Sequence, residues 1–258
     1  MTRSPEKSQS VVVTGGNTGI GAAVVAAFAR AGANVIMDYV SHPDANDAIV
    51  ATAAEHGGHV VPVRADITTR AGLDELRDTA VREHGRLDVW VNNAGVEMRQ
   101  SLLQTTEDDF DTVMAVNLKA AYFGTQVAAQ QFVDQGGPGV VVNVSSVHED
   151  WPMPGNAAYC AAKGGVRMLA RTAGVELGPQ GIRVVNVAPG AVDTPINTTT
   201  MDDPDQRRRL VQAIPLRAVA EPEQIADMVV FVASPRASYL TATTVFVDGG
   251  IMQGSVGL

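Results

Sequence analysis

Basic charge and cysteine are both scarce in this chain of 258 residues. Nineteen Lys and Arg stand against 28 Asp and Glu, giving a net charge of −9 and a pI near 5.0. Such a balance argues against nucleic acid and anionic membranes as partners. The only basic run, Arg207-Arg208-Arg209, reads as a solvated helix face. The single cysteine, Cys160, excludes an internal disulfide and fits a reducing cytosol. It follows Tyr159 directly, so on a helix it points about 100° away from that residue and serves as a small packing group. No apolar run approaches the roughly 18 charge-free residues of a membrane span. The opening stretch MTRSPEKSQS lacks the apolar core of a signal peptide. A cytoplasmic protein is therefore expected. No His/Cys/Asp cluster has metal-ligand spacing, so no metal site is expected, and no repeat recurs at a solenoid period.

What is present is a globular composition, 45% hydrophobic and 18% charged. Strand-like runs near residues 11, 35, 60, 89, 140, 184 and 245 alternate with helical segments, and no linker interrupts them. This pattern predicts one α/β domain over residues 10–258 with a large buried core, preceded by a polar tail over residues 1–9. Gly136-Gly137-Pro138-Gly139 marks a turn before the Val140–Val144 run. Residues 189–205 form a long, Thr-rich, weakly patterned stretch. Loops of that length are uncommon unless functional, so it is either a lid over a substrate or a surface excursion packed on a neighbouring subunit.

Ser10–Thr14 leads directly into Gly15-Gly16-Asn17-Thr18-Gly19-Ile20-Gly21, and the residues from Ala22 to Arg30 are strong helix formers. Strand, glycine turn and helix together suit a dinucleotide. Glycines let the backbone approach a pyrophosphate, and the helix N-terminus favours its charge. A purely structural turn is the alternative. Asp38 closes the next apolar run nineteen residues after Gly19. It is either a carboxylate for the adenosine ribose, repelling a 2′-phosphate, or a solvated turn residue. Asp66-Ile67 and Asn92-Asn93-Ala94-Gly95 close two further strand-like runs, where open α/β sheets bind ligands. Capping and turn formation are their alternatives.

Tyr159 and Lys163 stand four residues apart in an Ala-rich segment, so on a helix they share one face. An ammonium beside a phenol lowers the phenol's pKa from about 10 toward neutrality, which would make Tyr159 an acid/base at physiological pH. Ser146, thirteen residues upstream at the end of an apolar strand, can offer its hydroxyl to the same substrate oxygen. A surface Tyr and Lys on an ordinary helix is the alternative. His148 and Glu149, with Glu97, are either hydrogen-bonding partners for a polyhydroxylated substrate or solvated loop residues. Trp151 and Met153 are expected to wall the pocket, unless Pro152 and Pro154 mark a merely rigid loop.

With Thr14–Gly21, Asn92–Gly95, Asn117, Ser146, Tyr159 and Lys163 in order, the chain resembles the short-chain dehydrogenase/reductase family from about Ser10 to Gly250. The resemblance implies a doubly wound Rossmann-type fold with a seven-stranded parallel sheet and helices on both faces. It also implies NAD or NADP as cofactor, a small-molecule alcohol or carbonyl substrate, and a homotetramer. Tyr159 would be the acid/base, Lys163 would hold the ribose and tune it, Ser146 would orient the substrate oxygen, and Asn117 would support a water-linked proton relay. Cofactor contacts would come from Gly15, Asn17, Thr18, Gly19, Ile20 and Gly21, from Asp38, Asp66 and Ile67, and from Asn93, Ala94 and Gly95. Pro189, Gly190, Val192 and Thr194 match the segment flanking the nicotinamide.

Within the family the likeness is to bacterial glucose 1-dehydrogenases, carried by Ser145–Glu149, Tyr159–Gly165, Thr194–Asn197 and Glu97. This implies Glu97, Ser146, His148 and Tyr159 as substrate contacts and a sugar, D-glucose first, as substrate. Residues 150–158 and 252–258 depart from that subgroup, and Val40 stands where it carries an arginine. A carbonyl reductase for hydrophobic ketones is the second reading, and a non-catalytic cofactor-binding regulator a third. Acidic Asp38, with no Arg or Lys in Asn17-Thr18 or Val40-Ser41, favours NAD over NADP. The family's NAD-selecting acid falls one position later, at Tyr39, so strand alternation could aim Asp38 elsewhere.

Overall fold

The computed structural model describes residues 8–55, 57–197 and 202–254. Seven strands, β1 (Ser10–Val13), β2 (Asn34–Tyr39), β3 (His59–Arg64), β4 (Val89–Asn92), β5 (Gly139–Val144), β6 (Ile182–Pro189) and β7 (Thr243–Val247), form one sheet. Every pairing is parallel, in the order β3-β2-β1-β4-β5-β6-β7. The expected doubly wound arrangement is present. The chain reverses its direction of winding between β1 and β4, so a crevice opens there at the carboxyl ends of the strands.

Valine-rich strands buried on both faces explain the layers. Side chains alternate across the sheet: Val11 and Val13 join one core, while Val12 joins the other. The first core packs against helices α1 (Gly19–Arg30) and α8 (Pro222–Ala233) through Phe28, Ile225 and Val229. The second packs against α3 (Arg70–His84), α5 (Ala120–Asp134) and α6 (Ala157–Leu177) through Leu73, Leu76, Phe132 and Ala170. Helices α2 (Asp44–Glu55), α4 (Glu107–Met114) and α7 (Pro204–Ala213) complete the described set.

Helix α4 runs through a π turn, Ala115–Lys119, straight into α5. Such turns insert a residue into a helix and occur often at functional sites. Here the turn carries Asn117. The expected lid over residues 189–205 falls partly on 198–201, and the expected tail on 1–7, which lie outside the described residues. Its described parts are a short turn, Pro195–Asn197, and the start of α7. Among the described residues no helix is long and apolar enough to cross a membrane.

Candidate active site

The glycine turn after β1 is folded against the loop after β4. Thr14 Oγ1 accepts from the N–H groups of Asn93 (3.0 Å) and Ala94 (3.1 Å), and Asn93 Nδ2 donates to the carbonyls of Thr14 and Gly15. Gly15 has φ +58°, and a Cβ there would stand 3.0 Å from Ala94 Cα. A Cβ on Gly21 would stand 2.0 Å from the Gly15 carbonyl oxygen, so only glycine allows the turn to close onto the first turn of α1. Thr18 is the exposed N-cap of α1, and Thr194 lies over Gly19 at van der Waals distance from where a Cβ would be. This cradle fits the pyrophosphate of a nicotinamide dinucleotide: close backbone on one side, a helix N-terminus with Gly19 and Ile20 on the other.

Some expected cofactor residues are committed elsewhere. Asp38 is buried and turns inward, its Oδ2 accepting from Gly15 N at 3.0 Å while its own carbonyl takes Gly16 N at 2.7 Å. Burial raises its carboxyl to about 6. Tyr39, half-buried, follows it at the strand end. The Asn17 amide donates to the carbonyls of Ser41 (2.7 Å) and His42 (3.2 Å), tying down the loop after β2. Asp66 caps the turn before α3, accepting from Thr68 N and Oγ1, and these hydrogen bonds lower its pKa. Ile67 packs into the second core. Pro189 ends β6, Gly190 N bonds Val247 O at 3.0 Å, and Val192 is buried in a parallel bridge to Ala220.

Beside the cradle, β5 delivers Ser146 and α6 delivers Tyr159 and Lys163 on one face. The Ser146 hydroxyl accepts from His148 N at 3.2 Å and lies close enough to the Tyr159 phenol to lower its pKa. Lys163 Nζ lies 5.5 Å from the Tyr159 ring centroid and donates to the Val144 carbonyl at 3.0 Å. Asn117 brackets the loop after β4: Oδ1 accepts from Val96 N (3.2 Å), and Nδ2 donates to the carbonyls of Val96 and Val113 (both 2.9 Å). A Cβ on Gly95 would stand 2.8 Å from Asn117 Oδ1 and 3.9 Å from Lys163 Nζ, so this glycine marks where the residues converge.

The charges differ from expectation in one respect. Lys163 does not depress the phenol. Burial pushes Tyr159 up to about 12, against a smaller lowering by Ser146 and further raising by Glu97. Burial also brings the lysine down to about 8. Desolvation disfavours the charged form of each group, and this outweighs an ammonium whose nearest partner is a backbone carbonyl.

Of the polar residues expected around a sugar, two lie beside Tyr159. Glu97 pairs with Arg99 and lies near enough to act on Tyr159 electrostatically. The His148 ring stacks on Trp151 at 6.4 Å and 11°, and meets Tyr159 edge-on at 6.4 Å. Glu149 is not there. Its side chain is fully buried beneath α6, where it accepts from Asn186 Nδ2 (3.1 Å) and Thr244 Oγ1 (2.6 Å). The 3₁₀ turn Val147–Glu149 rotates it away from Ser146 and into the sheet.

A parallel sheet with a glycine cradle at its switch point and a Ser–Tyr–Lys group beside it defines a class: oxidoreductases that use a nicotinamide dinucleotide. Comparison with known proteins agrees. The family model described as enoyl-(acyl carrier protein) reductase matches residues 15–252. The chain is 40% identical to 3beta-hydroxysteroid dehydrogenase 1 of Eggerthella lenta over 245 residues, 95% of this chain and 94% of that one. It is 34% identical to glucose 1-dehydrogenase 2 of Bacillus subtilis, covering 94% of each. A short-chain type dehydrogenase/reductase from Mycobacterium marinum superposes with a TM-score of 0.90 at 30% identity, covering 96% of this chain and 97% of that one. The chain belongs to the short-chain dehydrogenase/reductase family. It is an oxidoreductase of alcohols and carbonyls that works with NAD or NADP.

Proposed function

We propose that the chain interconverts a secondary alcohol and its ketone, with Tyr159 as acid/base, Ser146 and Lys163 beside it, and Asn117 behind. The observation that carries this is the convergence of Ser146, Tyr159 and Lys163 next to the glycine cradle, with Lys163 Nζ 5.5 Å from the Tyr159 ring centroid and 3.9 Å from where a Cβ on Gly95 would stand. When bound, NAD(P) accepts or supplies the hydride. Ser146 donates to the substrate oxygen as negative charge develops on it. Tyr159 takes the alcohol's proton in oxidation and returns it to the carbonyl oxygen in reduction. With its pKa at about 12, it is protonated at neutral pH and begins as the donor suited to reduction. Lys163 stands over the Tyr159 ring, and Asn117 fixes the loop against which Lys163 sits.

The substrate we assign is an alcohol on a largely apolar ring. Val147 and Trp151, which flank His148, belong to an apolar cluster with Leu210, Ile214, Ile251 and Met252. The withdrawal of Glu149 into the sheet leaves fewer polar partners for a polyol. The likeness to a hydroxysteroid dehydrogenase points the same way. A sugar is the second reading, favoured by Glu97 and His148 beside Tyr159 and by the likeness to a glucose 1-dehydrogenase. NAD is the cofactor we expect to be preferred, because no Arg or Lys stands in Asn17-Thr18 or Val40-Ser41 to hold a 2′-phosphate. A homotetramer acting in the cytoplasm fits the apolar face along α5 and α6 and the single free cysteine.

The test is cofactor turnover with 3β-hydroxysteroids, D-glucose and aryl ketones, each with NAD(H) and NADP(H). The steroid alcohol is expected to give the highest kcat/KM. Efficient glucose oxidation with inert steroids would select the sugar reading, and a tenfold preference for NADP would overturn the cofactor assignment.

A further inference from the structure

Four polar side chains lie in one row across the sheet. Asn92 on β4 is in register with Asn143 on β5, Asn143 with Asn186 on β6, and Asn186 with Thr244 on β7. Trp90 Nε1 donates to Asn92 Oδ1 (2.7 Å), Asn92 Nδ2 to Asn143 Oδ1 (2.8 Å), and Asn143 Nδ2 to Asn186 Oδ1 (2.9 Å). Asn186 Nδ2 and Thr244 Oγ1 then both donate to Glu149. Every amide points its donor the same way, so the row is polarised toward one end, and that end is a carboxylate.

Hydrogen bonding alone does not call for an acid there. A glutamine would accept from Asn186 and donate to the Thr244 hydroxyl in the same space. What only glutamate brings is a charge, and burying a charge costs several kcal/mol unless an opposite charge is near. Two are near. Arg167 Nε stands 3.8 Å away, but that guanidinium also pairs with Asp150 at its more exposed end. The other is Lys163, one helical turn before Arg167 on the same face of α6, and Glu149 is the one acid that acts on it.

Resting on the reading of Lys163 as part of the site, we infer that Glu149 is a positioning residue: a buried counter-charge, held by the amide row, that keeps Lys163 cationic beside Tyr159. The groups facing Lys163 are few. They are Tyr159 on its own helix, the Val144 carbonyl on β5, the Asn117 amide on the π turn across Gly95, and Glu149 on the 3₁₀ turn, with Arg167 and Asp150 behind it. Only Glu149 opposes the desolvation that lowers the lysine.

The chain has three lysines, Lys7, Lys119 and Lys163, so Lys163 can be titrated directly. In protein labelled with ¹³C at lysine Cε, the Lys163 resonance, assigned with Lys7→Arg and Lys119→Arg, is followed against pH in the full chain. Glu149→Gln should lower its midpoint by about one unit or more. Arg167→Met removes a like charge and frees Glu149, and should raise it. Opposite shifts cannot arise from general loosening of the helix, which would move both variants the same way. An unmoved midpoint in a folded Glu149→Gln protein overturns the inference. If that variant does not fold, Arg167→Met decides, and an unchanged or lowered midpoint overturns it. The readout needs no substrate, so it separates this inference from the proposed reaction. Loss of turnover dependence on Tyr159 would sink the reaction and leave the titration standing.

Discussion

At the residue scale the site is governed by the cost of burying charge. Tyr159 is raised, Lys163 is lowered, and Asp38 is raised to about 6, all chiefly by desolvation. Asp38 gives a measurable consequence. Its pKa in the folded chain lies above the ordinary 3.8, so the native state binds its proton more tightly than the unfolded chain does. The sign is therefore the reverse of a salt-bridged acid. Its contribution to stability is full below about pH 4 and is lost as pH rises toward 6. At roughly 1.4 kcal/mol per unit, the loss is about 3 kcal/mol at most. Urea denaturation of wild type and Asp38→Asn from pH 4 to 7 should show this decline in the wild type only. An identical pH dependence in both proteins would remove Asp38 as its source. The pairing of Tyr159 with Lys163 is legible in the sequence, since four-residue spacing puts both on one face of any helix. The inward turn of Asp38 is legible only in part: alternation along β2 sets it with Ile36 and against Met37, but its bond to Gly15 depends on how the turn folds back.

At the scale of elements, the glycine turn, the β4 loop and α1 act as one assembly. Gly21 is where they touch, and a methyl group there would collide with the Gly15 carbonyl and the Asn93 amide. Gly21→Ala should therefore weaken NAD binding at least tenfold and lower the melting temperature. Gly178→Ala, where nothing lies within 4 Å, should change neither. Calorimetric binding and thermal melts check both, and tight NAD binding by Gly21→Ala would contradict the cradle. Strand–turn–helix order makes this assembly legible in the sequence. The amide row was not readable. Asn92, Asn143 and Asn186 each stand near the end of a valine run, which is a signal, but only the sheet's register aligns them and joins them to Thr244. The place of Glu149 eludes the sequence for the same reason: two residues of 3₁₀ turn decide whether it faces substrate or sheet.

At the scale of the whole molecule, one face carries a row of exposed apolar side chains. Between α5 and α6 a groove of about 1070 Å³ is lined by Leu118, Tyr122, Phe123, Val133 and Met168. Tyr122, Val133 and Met168 are about half exposed, and contiguous patches of this kind mark interaction sites. In the proposed homotetramer this face is covered by a second copy. Met168→Glu should shift the mass measured by light scattering to a smaller species, and an unchanged mass would place the interface elsewhere. The central claim concerns the whole enzyme: that Tyr159 moves the proton while the fold holds cofactor and substrate. Its most direct test is Tyr159→Phe, which keeps the ring and removes only the hydroxyl. With whichever alcohol the panel shows to be turned over, kcat should fall about 10²–10⁴-fold while the NAD dissociation constant is unchanged. More than half the wild-type rate in a folded Tyr159→Phe protein would contradict the account.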